Sequence, residues 1–216
     1  MRHLPTTPEH LDHLVYAGPD LSGLVADFTE RTGVTPSPGG QHPTGTANYL
    51  VALTINGARV PIYLELLGPD PDRTTTGPVT AFGVNRLTEP RLVTFAIRPP
   101  DAVATVARAR KGGYDPGSLD PLSRRTPTGG ELHWHLTHPP TAPTLIPFLI
   151  AWGQTAHPAL QDIPSVDLLE MYGHSPHAQR DRHILELLGV NLPVSAGPEI
   201  RLTARLRTPG GEVVLR

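Results

Sequence analysis

The 216-residue chain contains no cysteine, which removes thiol nucleophiles, disulfides and thiolate metal sites together. Lysine is almost as scarce. Of the 18 basic residues all but Lys111 are arginine, so Schiff-base chemistry on lysine is improbable by elimination. No apolar run approaches the roughly 18 residues of a membrane span. Residues 1–10 are polar and proline-containing, so neither a signal peptide nor a transmembrane segment is expected, and the cytoplasm is the default location. A net charge of −2 and a pI near 6.6 supply no attraction for nucleic acid or an anionic membrane. The chain also lacks a Gly-x-Ser-x-Gly elbow, a His-Glu-x-x-His pair, a Walker-type loop and a Gly-x-Gly-x-x-Gly turn. Gly39-Gly40 leads into a polar turn rather than a helix, which offers phosphate no cradle.

A hydrophobic content of 38% is enough for a core in a chain of this length. The 26 prolines and 21 glycines fall mostly between periodic segments, where they stiffen loops and leave the core intact. Leu11 to Ala17 alternates as a strand, Asp20 is a helix N-cap, and Leu21, Leu24, Val25 and Phe28 recur at helical spacing until Gly33. An extended segment at 34–37, a polar turn over 39–48, a strand at 49–53, the Asn56-Gly57 hairpin and a strand at 60–67 follow. Leu92 to Asp101 then lines up position for position with Leu11 to Asp20, and a helix to Gly112-Gly113, a turn at 125–130 and strands at 131–137 and 146–152 repeat the order. A third, incomplete copy is expected from Val166: a strand, a helix ending at Gly189, extended segments, and a hairpin at 207–213 that echoes 125–132. The reading is therefore a first βαβββ module at 8–69, a linker loop at 70–91, a second module at 92–160 and a partial module at 166–216. All belong to one globular unit.

His13 and Glu65 stand on the first and last strands of the first module, each on an otherwise apolar face. With the strand order, the polar turn and the repeat, this resembles the glyoxalase-like branch of the vicinal oxygen chelate superfamily. The resemblance implies an α+β fold in which paired βαβββ modules form a curved mixed sheet around a cavity. It implies a divalent ion held at equivalent places on the first and last strands of each module, chelating two neighbouring oxygens of a small substrate. His13 and Glu65 match the first pair of positions, as metal ligands or as the groups that move a proton. Thr94 and Ile150 stand at the second pair and are expected to bind no metal. Zinc, iron, manganese or nickel are the ions suited to the remaining donors, and a homodimer is left open.

Further candidates are weighed against structural roles. His133 and His135 share one face of a strand and could complete the site, or they could be polar residues on the solvated side of an edge strand. His42, Thr46 and Asn48 on the polar turn and Trp152 at a strand end are candidate ligand-binding residues. His157 is a candidate for the rim. The Arg124-Arg125 pair could hold an anion, although arginines beside a turn are usually solvated. His174, His177 and His183 lack a one-face zinc spacing and read as surface residues. Two functions stay open. One is a lyase or isomerase acting on an oxygen-bearing small molecule. The other is a non-catalytic protein that binds or sequesters a small molecule.

Overall fold

A computed structural model describes residues 7–74, 77–125 and 129–216, the side chain of Arg125 excepted. The expected turn over 126–128 lies outside these residues, as does most of the polar segment at 1–10. The first module comprises β1 (Leu11–Ala17), α1 (Leu21–Thr32), β2 (Ser37–Gln41), β3 (Thr46–Ile55) and β4 (Ala58–Pro69). Asp20 caps α1 by accepting from Ser22 N–H at 3.0 Å, and Gly33 closes it in the left-handed conformation, φ 70°. Asn56 and Gly57 both have positive φ, 52° and 78°, as the tight hairpin between β3 and β4 requires. The polar segment expected as a turn over 39–48 is for the most part paired: Gln41 faces Ala47 and Gly40 faces Asn48 across β2 and β3. Its turn shrinks to 42–45, because backbone pairing outweighs the weak strand preference of glycine and asparagine side chains.

The second module repeats the order as β5 (Arg91–Ile97), α2 (Ala102–Lys111), β6 (Asp120–Arg125), β7 (Glu131–Leu136) and β8 (Phe148–Ala151). Asp101 caps α2 through Ala104 N–H at 2.8 Å, the counterpart of Asp20. Between the modules the linker includes a short 3-10 segment at Ala81–Arg86. In each module the first and last strands pair in parallel, β1 with β4 and β5 with β8, and the modules join through antiparallel β1 and β5.

The tail contains β9 (Ser165–Ser175), α3 (Ala178–Leu188), β10 (Val194–Ala196), β11 (Arg201–Thr208) and β12 (Gly211–Leu215). It repeats the order of elements, but β9 pairs antiparallel with β11, and its parallel neighbours are the three-residue β10 and β3 of the first module. The strands run β12-β11-β9-β3-β4-β1-β5-β8-β7-β6, with β2 on β3 and β10 on β9. Tail and modules share an apolar core on the helix side, where Leu14, Phe28, Phe95 and Leu149 are buried with Leu185, Leu202, Leu206 and Leu215. Full burial of each such side chain contributes roughly 1.5–3 kcal/mol. The β11–β12 turn docks on the end of α1, Gly210 N–H donating to Thr32 C=O at 3.0 Å. A side chain at Gly210 would press on the Arg31 and Thr32 backbone. Among the described residues no helix is long and apolar enough to cross a membrane.

Candidate active site

The opposite face of the sheet carries a second apolar cluster, including Val15, Tyr63, Trp134, Phe148, Ile150 and Trp152. It surrounds a cavity of about 80 Å³, and His13, His42, Thr46, Asn48, Glu65 and Arg124 are the polar side chains that reach it together with Thr44 and the Tyr63 phenol. Strand parity places the first-module groups. Tyr63 and Glu65 on β4 stand beside His13 and Val15 on β1, and Glu65 stands opposite Leu50 on β3. Alternation therefore puts His13, Tyr63 and Glu65 on one face.

One irregularity completes that arrangement. Leu11 pairs with Ile97 and His13 with Ala96, so Asp12 is an extra residue in β1 without a partner on β5. Such a bulge re-aims side chains. Leu11 consequently points into the helix-side core, while Asp12 and His13 both reach the groups around the cavity. The Asp12 carboxylate is wholly buried. It meets His13 Nδ1 at 2.7 Å, Trp152 Nε1 at 3.0 Å and His157 Nε2 at 3.1 Å, and forms an ion pair with Arg98 Nε at 3.1 Å. Burial acts to raise its pKa, but the bonds and charges of His13 and His157 outweigh this and hold it below the ordinary carboxylate range. An ionised carboxylate only accepts. His13 therefore presents Nδ1–H to Asp12 and turns Nε2 to the cavity. His157 donates from Nε2, which leaves its Nδ1 free to accept from Ala159 N–H at 3.2 Å.

His13 Nε2 lies 3.7 Å from Glu65 Oε2, and both side chains are buried. Tyr63 stacks on the His13 ring with centroids 4.6 Å apart. Asn48 donates to Glu65 Oε1 at 2.5 Å, and its own Oδ1 occupies the space where a side chain at residue 39 would lie. Only glycine at 39 leaves room for this amide. His42 is fixed to Thr46 Oγ1 through Nδ1 at 2.8 Å. Desolvation by the surrounding protein lowers the His42 pKa, with Arg124 and His13 adding to the effect and Glu65 opposing it. Burial likewise keeps the Tyr63 phenol protonated far into alkaline pH.

His13, Glu65, His42, Thr46, Asn48 and Trp152 thus line the same cavity. His133 and His135 do not. They are exposed on the outer face of β7, and Trp134 between them is buried at the cavity. Leu132, Trp134 and Leu136 form the inward row because desolvating two imidazoles would cost more than exposing them. Arg124 is also unlike its expectation: it is buried in the cavity wall, not solvated, and donates to Gly39 C=O. Asp12, Trp134, Phe82 and Phe148 were not singled out by sequence reasoning. Parity groups Trp134 with Leu132 and Leu136 on one face of β7 but does not by itself say that this face is the inward one. Nothing local marks Asp12, whose role depends on the bulge and on residues far along the chain.

The donor set does not fit the superfamily's divalent ion. Three protein ligands are the usual requirement, and among the described residues no group of three His, Asp or Glu side chains is placed to hold one. Of the second-module positions, Ile150 is an apolar part of the wall, and Thr94 is buried with its hydroxyl near Ile146 C=O at 3.4 Å.

Comparison with known proteins supplies the family. A profile described as a glyoxalase-like domain matches residues 11–189. No curated protein sequence matches the chain. A hypothetical protein from Staphylococcus aureus shares the fold, with a TM-score of 0.67 at 13% identity over 95% of this chain and 98% of that one. Similarity also extends to methylmalonyl-CoA epimerase from Streptomyces coelicolor, in complex with 2-nitronate-propionyl-CoA, with a TM-score of 0.41 and 20% identity over 67% of this chain and 97% of that one. For the epimerase from Mycobacterium tuberculosis the TM-score is 0.39, at 20% identity over 69% and 90% of the two chains. On the match that spans most of its length, the chain belongs to the glyoxalase-like domain family.

Proposed function

We propose that this protein is a lyase or isomerase that moves a proton beside a carbonyl group of a small, largely apolar substrate. The observation that carries the reading is the convergence of His13 Nε2 and Glu65 Oε2 to 3.7 Å at a cavity whose remaining wall is mainly aromatic and aliphatic. Glu65 is the base. It takes the proton from carbon, the C–H electron pair becomes the new C=C bond, and the carbonyl π pair moves onto oxygen. His13 Nε2 faces the same space, with its other nitrogen held by Asp12, and passes a proton to or from that oxygen. Return of the proton to the same carbon, as the oxygen pair re-forms the carbonyl, completes an isomerisation; in a lyase reaction the carbonyl re-forms while the enol double bond shifts to the next carbon away from it, whose substituent leaves with the bonding pair. No step is assigned to a metal ion, since the donor set supplies two ligands.

Deuterium incorporation into phenylpyruvate at the carbon between its ring and ketone, followed by NMR in D₂O, tests the reading. A wider set of 2-oxo acids and aldehydes serves as the substrate panel. Exchange above the uncatalysed rate, lost in Glu65→Gln and unaffected by EDTA, is the expected result. Exchange that appears only with added zinc, iron, manganese or nickel would restore the metal. The apolar second-module wall favours one other reading, a protein that holds an apolar compound without changing it. Tight binding of panel members with no exchange on any of them would establish that reading in place of the enzyme.

A further inference from the structure

The second module contributes two hydrogen-bond donors that the proton transfer does not use. Arg124 on β6 is 7% exposed. Its protein acceptor is Gly39 C=O, and among the described residues no carboxylate lies within 4.0 Å of the guanidinium, so it is in no ion pair. On the neighbouring strand the Trp134 ring is 8% exposed, and its Nε1–H is buried without an acceptor among the described residues. Both side chains line the cavity that contains His13 and Glu65. The pairing of Leu122 with Trp134 and of Arg124 with Leu132 keeps the two on the same face of adjacent strands.

A guanidinium enclosed by apolar walls is costly unless an anion compensates it. A buried indole N–H without an acceptor adds a further cost. Glu65 is too far for a direct bond and is already held by Asn48. A ligand that brings two acceptor oxygens to this wall would relieve both groups. The forked donors of arginine match a carboxylate better than a single point charge would.

We infer that Arg124 and Trp134 form an anion subsite, which takes the carboxylate or developing oxyanion of a substrate whose aromatic or bulky apolar body lies against Phe82, Phe148 and Trp152. The inference deepens the proposed function and rests on the same cavity being the site. The fixed positive charge of Arg124 does there what a divalent ion does in the wider superfamily, stabilising negative charge on substrate oxygen. The base and the charge-stabilising groups are thereby divided between the modules, with Glu65 and His13 on the first, Arg124 and Trp134 on the second.

Phenylacetate and phenylacetamide are a pair of equal shape that differ in charge. The chain has two tryptophans, Trp134 and Trp152, both at the cavity, so quenching of intrinsic fluorescence reports binding there, and calorimetry gives an independent affinity. The wild-type protein should bind phenylacetate about 10- to 100-fold more tightly than the amide, as expected for hydrogen bonds to a charged group. Arg124→Gln should erase that preference while leaving amide affinity unchanged, and Arg124→Lys should keep part of it. Trp134→Phe, followed by calorimetry, should weaken phenylacetate several-fold. Glu65→Gln removes a competing negative charge and should tighten the anion. Equal wild-type affinity for acid and amide would overturn the inference, whatever the stability of the variants. So would a preference that persists in a folded Arg124→Gln protein. Glu65-dependent exchange without any anion preference would refute the subsite alone. An anion preference without exchange on any panel member would refute the enzyme and keep the subsite.

Discussion

The two halves of the cavity are built on the same strand–helix–strand order and carry opposite chemistry. The first module lines it with His42, Asn48 and Glu65, joined by hydrogen bonds, and with His13, which is held by the buried Asp12. The second lines it with Leu122, Trp134, Leu136, Phe148, Ile150 and Trp152, and with Arg124 as its one charged group among the described residues. A duplicated scaffold supplies two equivalent walls, and the side chains placed on equivalent strands decide whether a wall is polar or apolar. Where the superfamily's symmetric reading implies ligands on both halves, this chain concentrates its polar cavity groups on one. Hydrophobic contact and a fixed cation occupy the other.

The sharpest way to break this comparison is Glu65→Gln. If the polar half carries the chemistry, the exchange rate should fall by roughly 100- to 10,000-fold, the usual range for a general base, without loss of ligand affinity. A fall of less than about tenfold would remove Glu65 from that role.

Asp12→Asn comes next and reads out stability. Removing the charge from a buried, multiply bonded carboxylate should cost about 3–5 kcal/mol in urea unfolding near neutral pH. The sign of the pH dependence follows from the lowered pKa: relative to an unfolded value of 3.8, the stabilisation is complete above that value and is lost as pH falls through it towards the lower folded value. Urea midpoints measured from neutral to about pH 3 should drop in the wild type. The drop should be shallower in Asp12→Asn, and parallel profiles would show that Asp12 is not the group responsible.

Trp152→Phe sharpens the link between the halves, because the second-module indole donates to the first-module Asp12 at 3.0 Å. The substitution keeps an aromatic ring and deletes the donor, for an expected loss of about 1–3 kcal/mol. An unchanged melting temperature would show that this bridge contributes nothing measurable.

The smallest effect belongs to His133→Ala and His135→Ala. Both side chains face away from the cavity, so stability should stay within about 0.5 kcal/mol of wild type and exchange should not change. Loss of exchange in either variant would mean that β7 presents its other face to the site.

Some of this was legible from local pattern. Asp20 and Gly33 announce the limits of α1, and Asn56-Gly57 announces the β3–β4 hairpin, because caps and tight turns depend on a few neighbouring residues. His13 and Glu65 could be paired because parity along a strand survives folding. The same reasoning could not choose a face for β7. His133 and His135 share a face as surely as Leu132, Trp134 and Leu136 do, and only the competition between burying imidazole and burying indole selects one. Nor could it find the Asp12 cluster, whose members Arg98, Trp152 and His157 lie far from Asp12 along the chain.

By itself, then, the amino-acid order determined the elements, their repetition and the first-module pair at the cavity, since each of these follows from short-range periodicity and backbone conformation. Tertiary structure decided which atoms became chemically distinctive. The unpartnered residue in β1 turned Asp12 onto His13, and sheet closure buried Arg124 and Trp134 in an apolar wall. In the tail, β9 paired antiparallel with β11 although the order of elements repeats the modules. These outcomes depend on desolvation and on pairing between distant strands, which are properties of the assembled sheet.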